Sequence, residues 1–309
     1  MQNKLSVSTS PHIRHFDTTR GIMLDVIIAL LPATVFGFVI FGWRAVLHVA
    51  ICVAACLLCE FLWNVILKKP QSIGDLSAAV TGLILGLNMP TGAPFWIDII
   101  GSVAAIIVVK QMFGGLGHNF INPAMGARII LLVSFPSFMT SFTEPLVHTV
   151  SSATPIALES TAPVSYKTLF FGMHPGAVGE VSAFLLLVGG LYLVARKVIS
   201  PIIPVCFIGV TAGLTYIAGG DGLYAILSGG VMLGAIFMAT DYVTSPTTKW
   251  GKAIFGIGCG IITFVIRQFG SLPEGVSYAI ILMNILTPHI NTLTAQKPFG
   301  YVKEGKKDE

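Results

Sequence analysis

Between two long apolar runs stands the stretch Gly114-Gly115-Leu116-Gly117-His118-Asn119-Phe120-Ile121-Asn122-Pro123-Ala124-Met125-Gly126-Ala127-Arg128, rich in glycine and amides and broken by a proline. A bilayer core holds no water to satisfy irregular backbone. In a membrane-spanning chain such a stretch must therefore be buried in protein, lie against a ligand or reach water. Composition says that this chain does span a membrane: 54% of residues are hydrophobic, 10% are charged and the mean hydropathy is +0.83. An ordinary soluble domain has about 25% charged residues. The rest of the chain reads as two helical half-bundles arranged around this stretch and its counterpart.

A span needs about 20 apolar residues. Ten are predicted, at 22–41, 45–67, 76–89, 96–111, 121–138, 181–195, 202–218, 223–240, 253–269 and 276–293. Residues 1–20 are polar and basic and run into an apolar segment too long for a signal-peptide core, so a retained first helix is expected. If the N-terminus is cytoplasmic, only Arg44, Lys167 and Arg267 of the 18 Lys and Arg residues fall outside, which leaves fifteen inside. That asymmetry predicts two cytoplasmic termini and an outer loop at 139–180. The net charge of +4 is thus a topology signal and not a nucleic-acid footprint. The divisions that follow are a cytoplasmic segment 1–20, a first five-helix repeat 21–138, the outer loop 139–180, a second five-helix repeat 181–294 and a cytoplasmic tail 295–309.

The repeat has a trace in the residues. Val108-Val109-Lys110-Gln111-Met112-Phe113-Gly114 echoes Val265-Ile266-Arg267-Gln268-Phe269-Gly270, and Trp96 and Trp250 stand at a similar offset, each soon after a proline. Five spans per half is odd, so the halves have opposite orientation. Inverted repeats place binding sites at their interface, at short or interrupted helices. The third and eighth spans suit that role, being rich in glycine and ending in the turn-forming runs Asn88-Met89-Pro90-Thr91-Gly92 and Thr240-Asp241-Tyr242-Val243-Thr244-Ser245-Pro246-Thr247-Thr248.

Few residues carry obvious chemistry. Asn122 before Pro123 has the pattern of a helix N-cap followed by proline in the first turn. Alternatively, Asn119 and Asn122 line the edge of a planar heteroaromatic ligand that the glycines allow close to the backbone. In the outer loop, Val150-Ser151-Ser152-Ala153-Thr154-Pro155 sets small residues before a threonine, which suits a phosphate cradle and is also ordinary loop composition. Asp25, Asp75 and Asp241 lie near cytoplasmic span ends, Asp98 and Glu274 near outer ones, and Glu60 lies deepest. No midplane chain of carboxylates for a proton relay is visible. His48 sits early in the second span, and the other histidines fall in loops or at span ends. Cys52, Cys56 and Cys59 share a helix face and read as packing residues or, less simply, as metal ligands.

At Ser10-Pro11-His12-Ile13-Arg14, the run 114–128, Ser151-Ser152-Ala153-Thr154-Pro155 and Ala239-Thr240-Asp241 through Ser245-Pro246, the chain resembles the D subunits of Rnf complexes. These complexes are ion-translocating ferredoxin:NAD+ oxidoreductases, and the subunit is related to the B subunit of the Na+-translocating NADH:quinone oxidoreductase. The latter carries a longer N-terminal extension, which favours the Rnf subunit here. The resemblance implies an all-α, channel-like fold of two inverted repeats, similar to urea transporters, in the bacterial cytoplasmic membrane. It implies FMN joined through its phosphate to Thr154 by a flavin transferase acting outside, with Ser151, Ser152 and Ala153 leading into the attachment. The usual attachment pattern has aspartate six residues and glycine two residues before the threonine; here those places hold His148 and Ser152. The resemblance further implies a non-covalent riboflavin at Asn119 and Asn122, partner subunits in a six-subunit complex, and coupling to Na+ or H+. Two other readings compete: a small-solute transporter or channel, since inverted repeats with paired short helices also build pores, and a purely structural scaffold.

Overall fold

The computed structural model describes residues 18–145, 164–180, 182–270 and 275–295, with the backbone of 151 and 152. Thr18 opens α1 (Thr19–Phe41), its hydroxyl accepting from the Gly21 N–H at 3.1 Å. Gly42 alone, at φ 68°, turns the chain into α2 (Trp43–Ile66). A 3-10 turn at Ile73–Asp75 leads to α3 (Ser77–Leu87). Next come α4 (Phe95–Val103), extended by a π-helical segment at Ala104–Gln111, then α5 (Pro123–Ser134) and the short α6 (Pro136–Met139). Then follow α7 (Tyr166–Phe171), within the loop expected at 139–180, α8 (Ala183–Ala195), α9 (Ile202–Ile217), α10 (Gly222–Leu227) and α11 (Val231–Leu233), which runs into a π-helical segment at Gly234–Met238. α12 (Lys249–Phe269) and α13 (Val276–Leu293) complete the described helices.

Among the described residues α1, α2, α12 and α13 are long and apolar enough to cross a membrane, and α3, α5, α8 and α9 are shorter apolar helices. Large apolar side chains such as Val39, Leu191, Val205 and Ile217 point outward and are exposed, as a lipid-facing surface requires.

Three predicted spans are corrected. The segment 121–138 is two helices, because Pro136 pushes Phe135 out of helical backbone to φ −134°, ψ 55°. The segment 223–240 is broken at Ser228-Gly229-Gly230, where both glycines take left-handed backbone at φ 65° and 71°. The segment 96–111 reaches its end only through the π-helical stretch. An all-α fold also needs one amendment: β1 (Phe142–Thr143) and β2 (Ser151–Ser152) form a two-residue antiparallel ribbon, with Phe142 opposite Ser152.

Helix contacts rest on small residues. α3 lies against α2 at Gly82, where an added Cβ would sit 2.7 Å from Val53 Cα, and one turn on at Gly86, where it would sit 2.8 Å from Val49 Cα. α12 meets α9 in the same manner through Gly256, 2.9 Å from the Ile203 carbonyl, and Gly260, 3.0 Å from that of Phe207. Lipid supplies no hydrophobic drive between helices, so close backbone approach is what such pairs gain. The two halves are joined where α1 packs on α8 and α5 on α13. Gly82→Val is expected to destabilise the protein by about 1–3 kcal/mol through overpacking. Gly74→Ala, at a position with nothing within 4 Å, is expected to be near neutral. Thermal unfolding of the two purified variants in detergent checks this.

Candidate functional site

α3 stops after 11 residues, a rise of about 16 Å against an apolar slab of about 30 Å. Its last carbonyls therefore need partners inside the protein. The segment before α8 supplies two, Gly179 N–H to the Leu87 carbonyl at 2.7 Å and Val178 N–H to that of Met89 at 3.4 Å. Asn88 turns its amide N–H back to the Ile84 carbonyl at 2.7 Å and offers Oδ1 to Arg128 Nη1. Arg128 in turn pairs with Glu180 at 3.4 Å, both almost wholly buried. Opposite, the break after α10 is held by Arg267: Nη1 donates to the Ala225 carbonyl at 2.6 Å, and Nη2 donates to those of Ser228 at 3.2 Å and Gly229 at 2.8 Å.

A further buried ion pair and a buried His–Asp hydrogen bond lie in the first half. Glu60 meets Lys110 Nζ at 2.9 Å, and the same ammonium donates to the Ser77 hydroxyl at 2.6 Å. Ser72 at 2.5 Å and Gln111 at 3.3 Å complete the Glu60 shell. His48 Nδ1 lies 2.7 Å from Asp98 Oδ2, both fully buried, with the Phe95 ring 4.8 Å from the imidazole. Reading each charge by its own span missed all three pairs. The signal available was the cost of a lone charge in a span, which requires a partner on another helix. Cys52 and Cys56 are buried against α3 and the α4 region, and no group of three metal-capable side chains occurs among the described residues.

The stretch 114–122 forms a turn whose glycines are explained by backbone: Gly114 at φ 118° and Gly117 at φ 89° take conformations that side chains rarely adopt. Asn122 caps α5, its Oδ1 accepting from the N–H groups of Ala124 at 3.0 Å and Met125 at 3.4 Å. Its Nδ2 crosses to the Met238 carbonyl at 3.1 Å, tying the turn to the π-helical segment of the other half. From α13, Asn284, with its amide turned to satisfy both groups, accepts from Asn122 N–H at 3.1 Å and donates to the Thr244 carbonyl at 3.3 Å. Thr287 donates to that same carbonyl at 2.8 Å. The N-cap role of Asn122 is thus realised, and most of its amide is committed to protein. Asn119 donates to the Ile121 carbonyl at 3.0 Å, and its Oδ1 has no protein partner among the described residues.

Both asparagines line a cavity with about 760 Å³ of atom-free space, part of it open to solvent. The cavity lies between the halves. α1 and α3 give it apolar walls at Ile22, Val26, Val80 and Ile84; Lys110 and Thr81 add polar groups; Phe237, Thr240 and Asp241 close it from the second half. Burial pushes the Asp241 carboxyl above the ordinary carboxylate range, opposed by hydrogen bonds from the Thr244 hydroxyl at 3.0 Å and the N–H groups of Val243 and Tyr242. An isoalloxazine presents two apolar faces and an edge of carbonyl acceptors with one ring N–H. Apolar walls with Asn119 Oδ1, the remaining Asn122 N–H and nearby hydroxyls match that pattern. Of the outer-loop residues, Ser151 and Ser152 have their backbone in β2, while Ala153 and Thr154 lie outside the described residues.

Two segments far apart in sequence, 114–128 and 239–246, thus meet at one cavity, and comparison with known proteins finds likeness along nearly the whole length of the chain. Residues 6–300 match the family described as NQR2, RnfD, RnfE. The chain belongs to that family. It is 49% identical to the D subunit of the Na(+)-translocating ferredoxin:NAD(+) oxidoreductase complex of Acetobacterium woodii, covering 97% of this chain and 96% of the relative. It is 39% identical to the D subunit of the proton-translocating ferredoxin:NAD(+) oxidoreductase complex of Clostridium ljungdahlii, covering 97% of each. To the D subunit of the ion-translocating oxidoreductase complex of Stutzerimonas stutzeri it is 36% identical, over 92% of this chain and 93% of that one. In this member of the NQR2, RnfD, RnfE family the Glu60–Lys110 pair borders the cavity through Lys110 and Ser77. Lys110→Met leaves a buried carboxylate unpaired and is expected to cost about 3–5 kcal/mol, whereas the double change Glu60→Gln with Lys110→Met is expected to recover most of it. Thermal unfolding midpoints of both variants check the ordering.

Proposed function

We propose that this chain is the D subunit of an Rnf-type ion-translocating ferredoxin:NAD+ oxidoreductase, a six-subunit complex of the bacterial cytoplasmic membrane coupled to Na+ or H+. The observation that carries the reading is near-complete coverage of relatives so named, at 49% and 39% identity. Within the complex the chain is a redox-carrying membrane subunit rather than a catalyst on its own. Its ten spans form two inverted repeats with both termini in the cytoplasm. The echo of Val108-Val109-Lys110-Gln111 in Val265-Ile266-Arg267-Gln268 supports the repeat.

FMN is carried on Thr154, placed there by a flavin transferase outside the membrane, and a second, non-covalent riboflavin occupies the cavity at Asn119 and Asn122. Flavins supply reversible electron transfer, and the surrounding protein sets where they sit and at what potential. Around the cavity, Asn119 Oδ1 would be available to accept from a ring N–H, and apolar side chains of α1 and α3 would cover the ring. At the outer loop, the β1–β2 ribbon fixes the chain two residues before Thr154. The Thr91 and Thr143 hydroxyls, bonded to each other, anchor that ribbon to the turn after α3. Ser151, Ser152 and Ala153 are small residues, which suits close approach of a phosphate to the threonine.

Thr154→Ala is expected to abolish flavin fluorescence of the denatured band in a gel while leaving membrane insertion intact, and Thr154→Ser tests whether the hydroxyl alone suffices. Fluorescence that persists in the alanine variant moves the attachment to Thr149 or Thr161. Asn119→Ala is expected to lower affinity for extractable riboflavin by roughly one to two decades, the effect of losing one buried hydrogen bond, with the Thr154 band unchanged. Asn122→Ser keeps the helix cap and is expected to retain most of the extractable flavin. A wild-type protein with no extractable flavin ends the second-flavin reading.

A further inference from the structure

A second cavity, with about 770 Å³ of atom-free space partly open to solvent, lies where α8, α9 and α12 end on one side of the bundle. Lys197 and Lys252 line it, with Ser200, Tyr242 and Ser245, and no acidic residue does. The nearest carboxylates are engaged elsewhere. Asp25, in the adjoining cavity, is held by the Tyr192 hydroxyl at 2.8 Å and by Arg196 at 3.3 Å, and Asp241 accepts from Thr244 and lines the cavity at Asn119 and Asn122 instead. Among the described residues neither lysine has an ion-pair partner.

Lys197 sits in the turn that ends α8. Lys197 takes left-handed backbone at φ 59°, a conformation that side-chain-bearing residues seldom hold. It is kept there by its N–H to the Val194 carbonyl at 3.0 Å, by Val198 N–H to that of Leu193 at 2.9 Å, and by the Tyr242 hydroxyl on the Val198 carbonyl. Val194 and Ile203 add apolar lining to the same cavity. Paired cations over apolar wall at a membrane surface have the chemistry of a phosphodiester headgroup with acyl chains attached.

We propose that this cavity binds the phosphate of an anionic phospholipid of the cytoplasmic leaflet, with Lys197 and Lys252 as its counter-charges and the Ser200 and Ser245 hydroxyls as donors. The choice of leaflet rests on the sidedness proposed above. A surface lysine near an anionic headgroup is worth about fivefold in affinity, and the pair roughly thirtyfold.

The test uses the full-length chain purified in detergent and titrated with phosphatidylglycerol, phosphatidylcholine or inorganic phosphate, with bound lipid counted by native mass spectrometry. The expected result is retention of phosphatidylglycerol over phosphatidylcholine, lost about thirtyfold in Lys197→Gln with Lys252→Gln, kept in Lys197→Arg with Lys252→Arg, and kept in Lys68→Gln with Lys69→Gln. Equal retention of the two lipids overturns the proposal, as does an equal loss in the Lys68 and Lys69 variant, which indicates general surface attraction. Inorganic phosphate that displaces phosphatidylglycerol from the wild type at equal concentration also overturns it, in favour of a small free anion. The two wild-type measurements decide the matter even where the glutamine variant does not fold. Sidedness is read separately in intact cells, in a cysteine-free background. Ser165→Cys is expected to react with an impermeant maleimide and Lys306→Cys is not; the reverse pattern overturns the leaflet assignment independently of the lipid counts.

Discussion

A helix that stops inside an apolar slab must find partners for its last carbonyl groups within the protein. α3 stops after 11 residues and α10 after six, and the interior is arranged around those two ends. At the first, backbone N–H groups of Val178 and Gly179 and the amide of Asn88 meet the carbonyls, with the Arg128 guanidinium behind them. At the second, one guanidinium, that of Arg267, serves three carbonyls from α10 and the break. Arg suits such places because its planar fork presents several donors in fixed geometry and stays charged when buried. With the ends satisfied, the chain can turn within the bundle. The cavity at Asn119 and Asn122 is walled by side chains of α1 and α3 together with the turns at 116–122 and 240–243.

Much of this was legible in the residues, and what was not has a common cause. The four long helices, the cap at Asn122-Pro123 and the Lys110/Arg267 echo are local patterns, readable from spacing along one element. The interruption at Ser228-Gly229-Gly230 was less so, because its flanks, Leu223 to Leu227 and Val231 to Met238, keep the segment apolar on average. Hydropathy measures how comfortable a segment is in lipid and is blind to whether its hydrogen-bond ladder is continuous. Two left-handed glycines change the second without changing the first. Phe135 is the contrasting case: Pro136 follows it, and the constraint a proline puts on its predecessor was available to end the fifth span earlier.

The buried polar pairs were hidden for a different reason. His48–Asp98, Glu60–Lys110 and Arg128–Glu180 join residues 50, 50 and 52 positions apart. No periodicity within a span reports on such a distance. Taken alone, Asp98 looked like a residue near a span end and Glu60 like the deepest acid, and neither position names its partner. Such a pair is weak support for stability, because desolvating both ions offsets most of their attraction. Its firmer consequence is register, since a helix that slides by one turn leaves two buried charges apart.

The cations of the echoed motif, Lys110 and Arg267, meet opposite ends of short helices. Lys110 reaches the N-terminal end of α3, where its Nζ donates to the Ser77 hydroxyl. Arg267 reaches carbonyls at the C-terminal end of α10. A helix presents partial positive charge at its N-terminus and partial negative charge at its C-terminus, so cations are favoured at the second end and disfavoured at the first. Lys110 accordingly arrives with carboxylates. Glu60 neutralises it at 2.9 Å, and Asp75 takes the α3 start itself, accepting from the Ser77 N–H at 2.7 Å and its hydroxyl at 2.6 Å. Arg267 is placed where the dipole already draws a cation. A compact ammonium beside carboxylates and a forked guanidinium across carbonyls are therefore each fitted to the helix end they meet, and exchanging Lys110 and Arg267 would leave both ends poorly served.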